Sequence, residues 1–201
     1  MSEATPGEVR ERVWVALQRA GAVAYPVPAF GHHPNFRGAG QAAELLLPEL
    51  FARGFVKPGD TVLSYPDYVL KGLRKGLLEG GVSVVVPAKH GDDYRLLTSG
   101  KVAPAKASSI AGAEKVGERI TELPSCRLAL VACVAVSAVG AGLGKGYGFG
   151  LPEQARGLPL FTLVHDLQVV AAVPEPEHDL TAFATPTEVV WCANRGAQSE
   201  G

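Results

Sequence analysis

Residues 128–138 read LALVACVAVSA, a run in which apolar side chains occupy consecutive positions. A strand with one wet face alternates apolar and polar residues, so a run without alternation predicts a strand buried on both faces. Arg127 to Ala138 is therefore read as the central strand of the domain. Such a strand needs partners on both edges and a covering layer above and below.

The rest of the chain supplies those layers. Thr61 to Ser64 is a short buried strand, and Val82 to Val86 is a β-branched run closed by Pro87. Between them Val69, Leu70, Leu73 and Leu77 recur at three- and four-residue steps, the stripe of an amphipathic helix. Asp67 is placed to cap that helix, and Lys71, Arg74 and Lys75 are assigned to its outer face. Strand, helix and strand in so short a span make a βαβ unit with parallel strands. Glu8 to Ala20 reads as a helix with Val9, Val13 and Leu17 on its buried stripe, ended by Gly21. Ala39 to Arg53 reads as a helix that Pro48 kinks or divides. His90 to Ala107 is read as a loop or small hairpin, and Ala111 to Ile120 as a weaker helix. Segments 159–164, 168–173 and 188–192 are further strands. The expected fold is one α/β domain over residues 1–201, a three-layer α/β/α sandwich with a mainly parallel sheet.

Nineteen basic against twenty acidic side chains, a net charge of −1, give no strong drive toward nucleic acid or anionic membrane. No apolar run approaches the ~20 residues of a spanning helix. Met1 to Arg12, with Glu3, Glu8 and Glu11, resembles neither a signal nor a transit peptide. Cys126, Cys133 and Cys192 form no C-x-x-C pair, and an odd count in a core-rich chain suits a reduced, cytoplasmic protein with buried thiols. The expected assembly is a monomer or a small homo-oligomer. The five histidines lack metal-ligand spacing, so no structural metal site is expected.

Chemistry concentrates in three segments. Residues 140–150 read GAGLGKGYGFG and follow the central strand, where α/β sheets hold their ligands. Glycine lets backbone N–H groups approach an anion, and Lys145 adds a charge. The spacing is neither that of a P-loop nor that of a dinucleotide fingerprint, and the same glycines would equally serve a tight strand-to-helix turn. Val164-His165-Asp166-Leu167-Gln168 offers an aspartate after a strand, fit for a metal, an amine or simply a turn. His32 to Arg37 offers an arginine beside Asn35 for a phosphate, or a solvated loop with Phe36 anchored in the core.

Gly144-Lys145-Gly146-Tyr147-Gly148-Phe149-Gly150, followed by Gln168, Pro174, His178-Asp179 and Thr185-Pro186-Thr187-Glu188-Val189, resembles the 5-formyltetrahydrofolate cyclo-ligase (methenyltetrahydrofolate synthetase) family. His33-Pro34-Asn35-Phe36-Arg37-Gly38-Ala39 and Val164 to Val170 resemble the branch of methenyltetrahydrofolate synthetase domain-containing proteins. The resemblance implies a fold akin to ribose-phosphate isomerases and CoA-transferases. It implies a ligase of one-carbon metabolism that uses ATP and Mg²⁺. The formyl oxygen of 5-formyltetrahydrofolate is phosphorylated, N10 attacks, and phosphate leaves to give the 5,10-methenyl product. Under that resemblance Gly144, Lys145, Gly146, Tyr147, Gly148, Phe149 and Arg10 form the nucleotide and phosphate site, and Asp67 stands on the folate side.

Several family charges are absent. Pro6 stands at the place of an N-terminal lysine, Val136-Ser137 at Phe-Asp, Gly142 at an arginine, and Phe149-Gly150-Leu151-Pro152 at Tyr-Tyr-Asp-Arg. Gly81-Val82 replaces a Gly-Lys pair. Arg37, Lys89, Arg95, Lys101 and Lys106 are cations in loops that offer substitutes. Three functions therefore stand side by side: an ATP-dependent cyclo-ligase, a non-catalytic relative that binds nucleotide or folate and acts by interaction, and an enzyme that acts on another phosphorylated small molecule with the same glycine loop.

Overall fold

The computed structural model describes residues 4–90 and 92–193, so Glu3 of the polar N-terminus and Gly91 of the 90–107 segment lie outside the described residues. Helix α1 (Pro6–Arg19) starts at a capping box: Thr5 Oγ1 accepts from the Glu8 N–H, and Glu8 accepts from the Thr5 N–H at 2.7 Å. Val9, Val13 and Leu17 are its buried stripe. A short antiparallel pair, β1 (Val23–Ala24) and β2 (Asn35–Phe36), follows, and Phe36 is anchored in the core. Helix α2 (Ala39–Ala52) runs unbroken through Pro48 instead of dividing there.

Then come β3 (Thr61–Ser64), α3 (Lys71–Glu79), β4 (Ser83–Pro87), β5 (Tyr94–Leu97), α4 (Pro104–Ala107), α5 (Ile110–Val116) and β6 (Glu118–Ile120). The C-terminal half adds β7 (Ala129–Leu130), β8 (Ala135–Val136), β9 (Ala141–Leu143), β10 (Leu160–Leu163), β11 (His178–Asp179), β12 (Ala182–Ala184) and β13 (Val189–Trp191). The main sheet has the order β13-β12-β10-β7-β3-β4-β5-β6. Its four inner pairings are parallel, and β13, β5 and β6 join antiparallel at the edges. Val62 and Leu63 point to opposite faces, and neither is exposed to solvent, so the middle of the sheet is covered on both sides. On one flank α2 packs on α3, α3 on α4 and α4 on α5. Helix α1 packs on β8, and with Leu143 and Ala135 it closes a second, smaller core.

The apolar run proves to be two strands. β7 bonds β3 and β10, with the Tyr65 N–H donating to Leu130 O at 2.8 Å and the Val131 N–H to Phe161 O at 2.9 Å. Past Val131 the chain leaves that ladder, and β8 enters a separate three-stranded antiparallel sheet, β8-β9-β11. The buried Gln168 amide makes the break tolerable: its Nε2 donates to Cys133 O at 3.0 Å and to Val134 O at 3.2 Å. That duty also explains why 168–173 forms no strand; a 3-10 turn spans Asp166–Gln168, and one bridge, Val136 to Val169, is all that follows.

Two further expectations are corrected. The Asp67 side chain caps no helix, and Arg74 is not on an outer face but only 1% exposed. Arg74 stands four residues after Leu70 and three before Leu77, which puts it on the apolar stripe itself. Removing an inner side chain should be costly: Leu63→Ala is expected to destabilise the fold by ~2–5 kcal/mol. Leu45→Ala, at an exposed position, should stay within ~0.5 kcal/mol. Urea unfolding midpoints of the two variants check this.

Candidate ligand-binding site

Strands β3 and β4 end side by side and run on as Tyr65-Pro66-Asp67 and Ala88-Lys89. Two cavities open around these ends. One, of about 350 Å³, is lined by His33, Tyr65, Lys145, Tyr147, Arg156 and His178 among others. The other, of about 560 Å³, is lined mainly by Pro66, Val86, Pro87, Ile110, Ala113 and Phe149, with Arg74 in its wall. Phe149 belongs to both linings.

The glycine loop does not leave the central strand directly, as the sequence suggests. It leaves β9, because the β8–β9 hairpin folds back and returns the chain over Tyr65. Arg10 reaches it from α1: Nε donates to Gly144 O at 2.7 Å, and Nη2 pairs with Glu177 at 2.8 Å. A Cβ at Gly144 would lie 2.5 Å from the Glu177 carboxylate, so a side chain there would displace Glu177 from its present position. Gly146 has φ +92°, a left-handed conformation natural to glycine. The Lys145 ammonium lies 4.7 Å from the centre of the Tyr147 ring, and the Tyr147 hydroxyl donates to Gly31 O.

The Lys145 N–H is not turned to open space but donates to His33 Nε2 at 3.2 Å. With Nε2 accepting, the ring proton sits on Nδ1, which bonds Asp67 Oδ1 at 2.9 Å. Asp67 thus touches the site through His33. Tyr65 is wedged between His178 and Phe149, with ring centres 5.8 and 5.0 Å away, and burial pushes its phenol well above the usual range. The buried His178 Nδ1 has no partner among the described residues; burial lowers its pKa, with Glu177 opposing and His33 reinforcing the shift.

Gly144, Lys145, Gly146, Tyr147, Gly148, Phe149 and Arg10 therefore come together in one loop and its brace. Of the loop cations offered as substitutes, Lys89 lines the larger cavity, Arg95 is paired with Asp93 and Glu114, and Arg37 is exposed. Asp166 is exposed in the 3-10 turn, whose cap is the His165 side chain. Among the described residues no group of three or more His, Cys, Asp or Glu forms a metal cage, and no helix is long and apolar enough to cross a membrane. Sequence reasoning missed Tyr65, Arg74 and Arg156. Only Arg74 carried a signal, its place on the apolar stripe of α3.

The model of the 5-formyltetrahydrofolate cyclo-ligase family matches residues 62–188, the stretch that contains both cavities' strand ends and the glycine loop. The chain belongs to that family. It is 32% identical over 208 residues to the methenyltetrahydrofolate synthase domain-containing protein of Bos taurus, covering 91% of this chain and 53% of that protein. The Mus musculus protein of the same name is 32% identical over 207 residues, covering 90% and 54%. The chain spans about half the length of these relatives. The NMR structure of Aquifex aeolicus 5,10-methenyltetrahydrofolate synthetase has the same fold, with a TM-score of 0.55 over 97% of this chain and 99% of that one at 15% identity.

The lowered His178 pKa has a definite sign. The folded state keeps the ring neutral where the unfolded chain already takes a proton, so stability falls as pH drops through the ordinary histidine range. The urea midpoint should decline between about pH 7 and about pH 5, and His178→Gln should flatten part of that decline. Identical slopes in the two proteins would show that His178 titrates normally.

Proposed function

We propose that this chain binds a reduced folate in the larger, apolar cavity and the phosphates of ATP in the smaller, basic one. We propose further that its cyclo-ligase turnover is absent or far below that of a complete family member. The observation that carries the reading is the pair of adjoining cavities of unlike character, sharing Phe149 at the ends of β3 and β4. Both fall within the ~300–1,000 Å³ usual for ligand pockets.

In the smaller cavity Lys145 and Arg156 are the cations within reach of phosphate oxygens. Arg10 is a positioning residue, since both its bonds shape the loop and hold Glu177. Mg²⁺ asks for one or two protein carboxylates and takes the rest of its shell from phosphates and water. Glu177 on the cavity wall meets that requirement, and the ion would neutralise phosphate charge there. Three free cysteines among the described residues, two of them buried, support a reducing, cytoplasmic setting.

The expectation of slow chemistry rests on charge. Phosphoryl transfer is positioning plus electrostatic stabilisation, and each lost charge contact weakens it by roughly tenfold or more. Pro6 opens α1, Ser137 is buried, Gly142 lies in β9, and Leu151 and Pro152 are uncharged. A second reading, a working ligase, is favoured by Arg156 and Lys89, which line the cavities and offer replacement charge.

Purified protein with ATP, Mg²⁺ and 5-formyltetrahydrofolate decides between them by absorbance of the methenyl product. Turnover of about 1 s⁻¹ or faster, the ordinary enzyme range, would establish the second reading. The first expects no such turnover, but stabilisation of ~2.7 kcal/mol by either ligand at a hundred times its Kd. Lys145→Ala should weaken nucleotide binding by ~1–3 kcal/mol, the scale of a charge-assisted hydrogen bond. The melting temperature of the free protein should hardly move. Unchanged nucleotide affinity would leave Lys145 a solvated side chain.

A further inference from the structure

Nine large apolar side chains are exposed among the described residues, and five of them lie together: Tyr25, Val27, Phe30, Tyr68 and Tyr147. The first three belong to the loop between β1 and β2, and the other two touch it. Tyr68 meets Tyr25 edge to face, with ring centres 5.0 Å apart, and the Tyr147 hydroxyl donates to Gly31 O. Exposed apolar residues scattered singly need no explanation, but a cluster of them marks a surface that another molecule covers.

Tyr147 is where this patch meets the smaller cavity. It is 63% exposed and also lines that cavity. The cations beside it are Lys145 and Arg156, and the acid of the same wall, Glu177, is held by Arg10. The Lys145 ammonium lies 4.7 Å from the centre of the Tyr147 ring. An anion seated on Lys145 therefore sits beside an open aromatic ring. Phosphate competes with the ring for the ammonium, and a face that the ammonium gives up is a face that a flat base can take.

The patch has little with which to tell one base from another. The Asn35 amide spends both ends on main chain: Nδ2 donates to Tyr25 O at 2.9 Å, and Oδ1 accepts from the Phe36 N–H at 3.0 Å. The Tyr25 and Tyr68 hydroxyls and the exposed His32 ring can each donate or accept, so none of them demands one base edge. Stacking is tolerant in the same way, because every base has a π-face.

We propose that the Tyr147 ring is a stacking platform for the base of a nucleoside triphosphate whose phosphates lie on Lys145 and Arg156, and that it takes guanine as readily as adenine. The inference rests on the nucleotide reading of the smaller cavity.

The test measures binding of ATP, GTP and ribose 5-triphosphate, which carries a hydroxyl in place of the base, by calorimetry. It uses the wild-type chain, Tyr147→Ala and Tyr147→Phe. The wild type should bind ATP and GTP within about threefold of each other, and each roughly 5- to 150-fold more tightly than ribose 5-triphosphate, the scale of one base on one aromatic ring. Tyr147→Ala should weaken the two nucleotides alone and bring them close to ribose 5-triphosphate. Tyr147→Phe keeps the ring and loses the bond to Gly31, and it should keep most of the difference. If Tyr147 only holds the loop in place, the alanine variant weakens all three ligands together and leaves their ratios alone, which overturns the proposal. A wild type that binds ATP no more tightly than ribose 5-triphosphate overturns it too. So does a preference of more than about tenfold between ATP and GTP, which stacking alone does not give. The two wild-type comparisons need no variant, and in all three cases the phosphate site stands. If none of the three ligands binds the wild type, the nucleotide reading falls and takes this proposal with it.

Discussion

The structure turns on two carbonyl oxygens. Where the apolar run leaves the main sheet, Cys133 O and Val134 O lose the strand that would have bonded them, in a place sealed from water. Gln168 supplies both bonds from one buried amide. Without such a donor, each bare carbonyl would cost about 1–3 kcal/mol, and the run would have reason to stay in the sheet. With it, the chain divides its apolar strand between two sheets. The second sheet turns the glycine loop back over the ends of the parallel strands, and the cavities exist because the loop returns.

Charge is then sorted by distance from that loop. On its side, Lys145 and Arg156 face the smaller space, and Arg10 is held out of it by Gly144 O and Glu177. Across Phe149 the lining is an apolar slot with Asp92, Asp93 and Glu114 set against Lys89 and the buried Arg74, which is bonded to neutral oxygens. The fold thus keeps two environments a few residues apart in β3 and its continuation, with one aromatic ring as the partition.

What the sequence disclosed depended on periodicity. β3, the α3 stripe and the parallel pairing of β3 with β4 follow from apolar spacing alone, and the structure has them. The stripe of α1 is read the same way. Spacing says nothing of what breaks a strand, so the division of 128–138 is hidden: a buried glutamine 38 residues after Leu130 looks like any polar residue at the start of a strand. Arg74 was assigned outward because it is charged, although its position in the helix says inward. Of the site, the loop and Arg10 were legible through family motifs, whereas Tyr65, Arg156 and the opening beside Arg74 depend on how distant segments pack.

His33 joins the loop to β3's continuation, because one ring nitrogen accepts from the Lys145 N–H while the other gives its proton to Asp67. One imidazole therefore ties the main chain of the glycine loop to the segment that follows β3, so a side chain that bonds on only one side cannot replace it without releasing either Lys145 or Asp67.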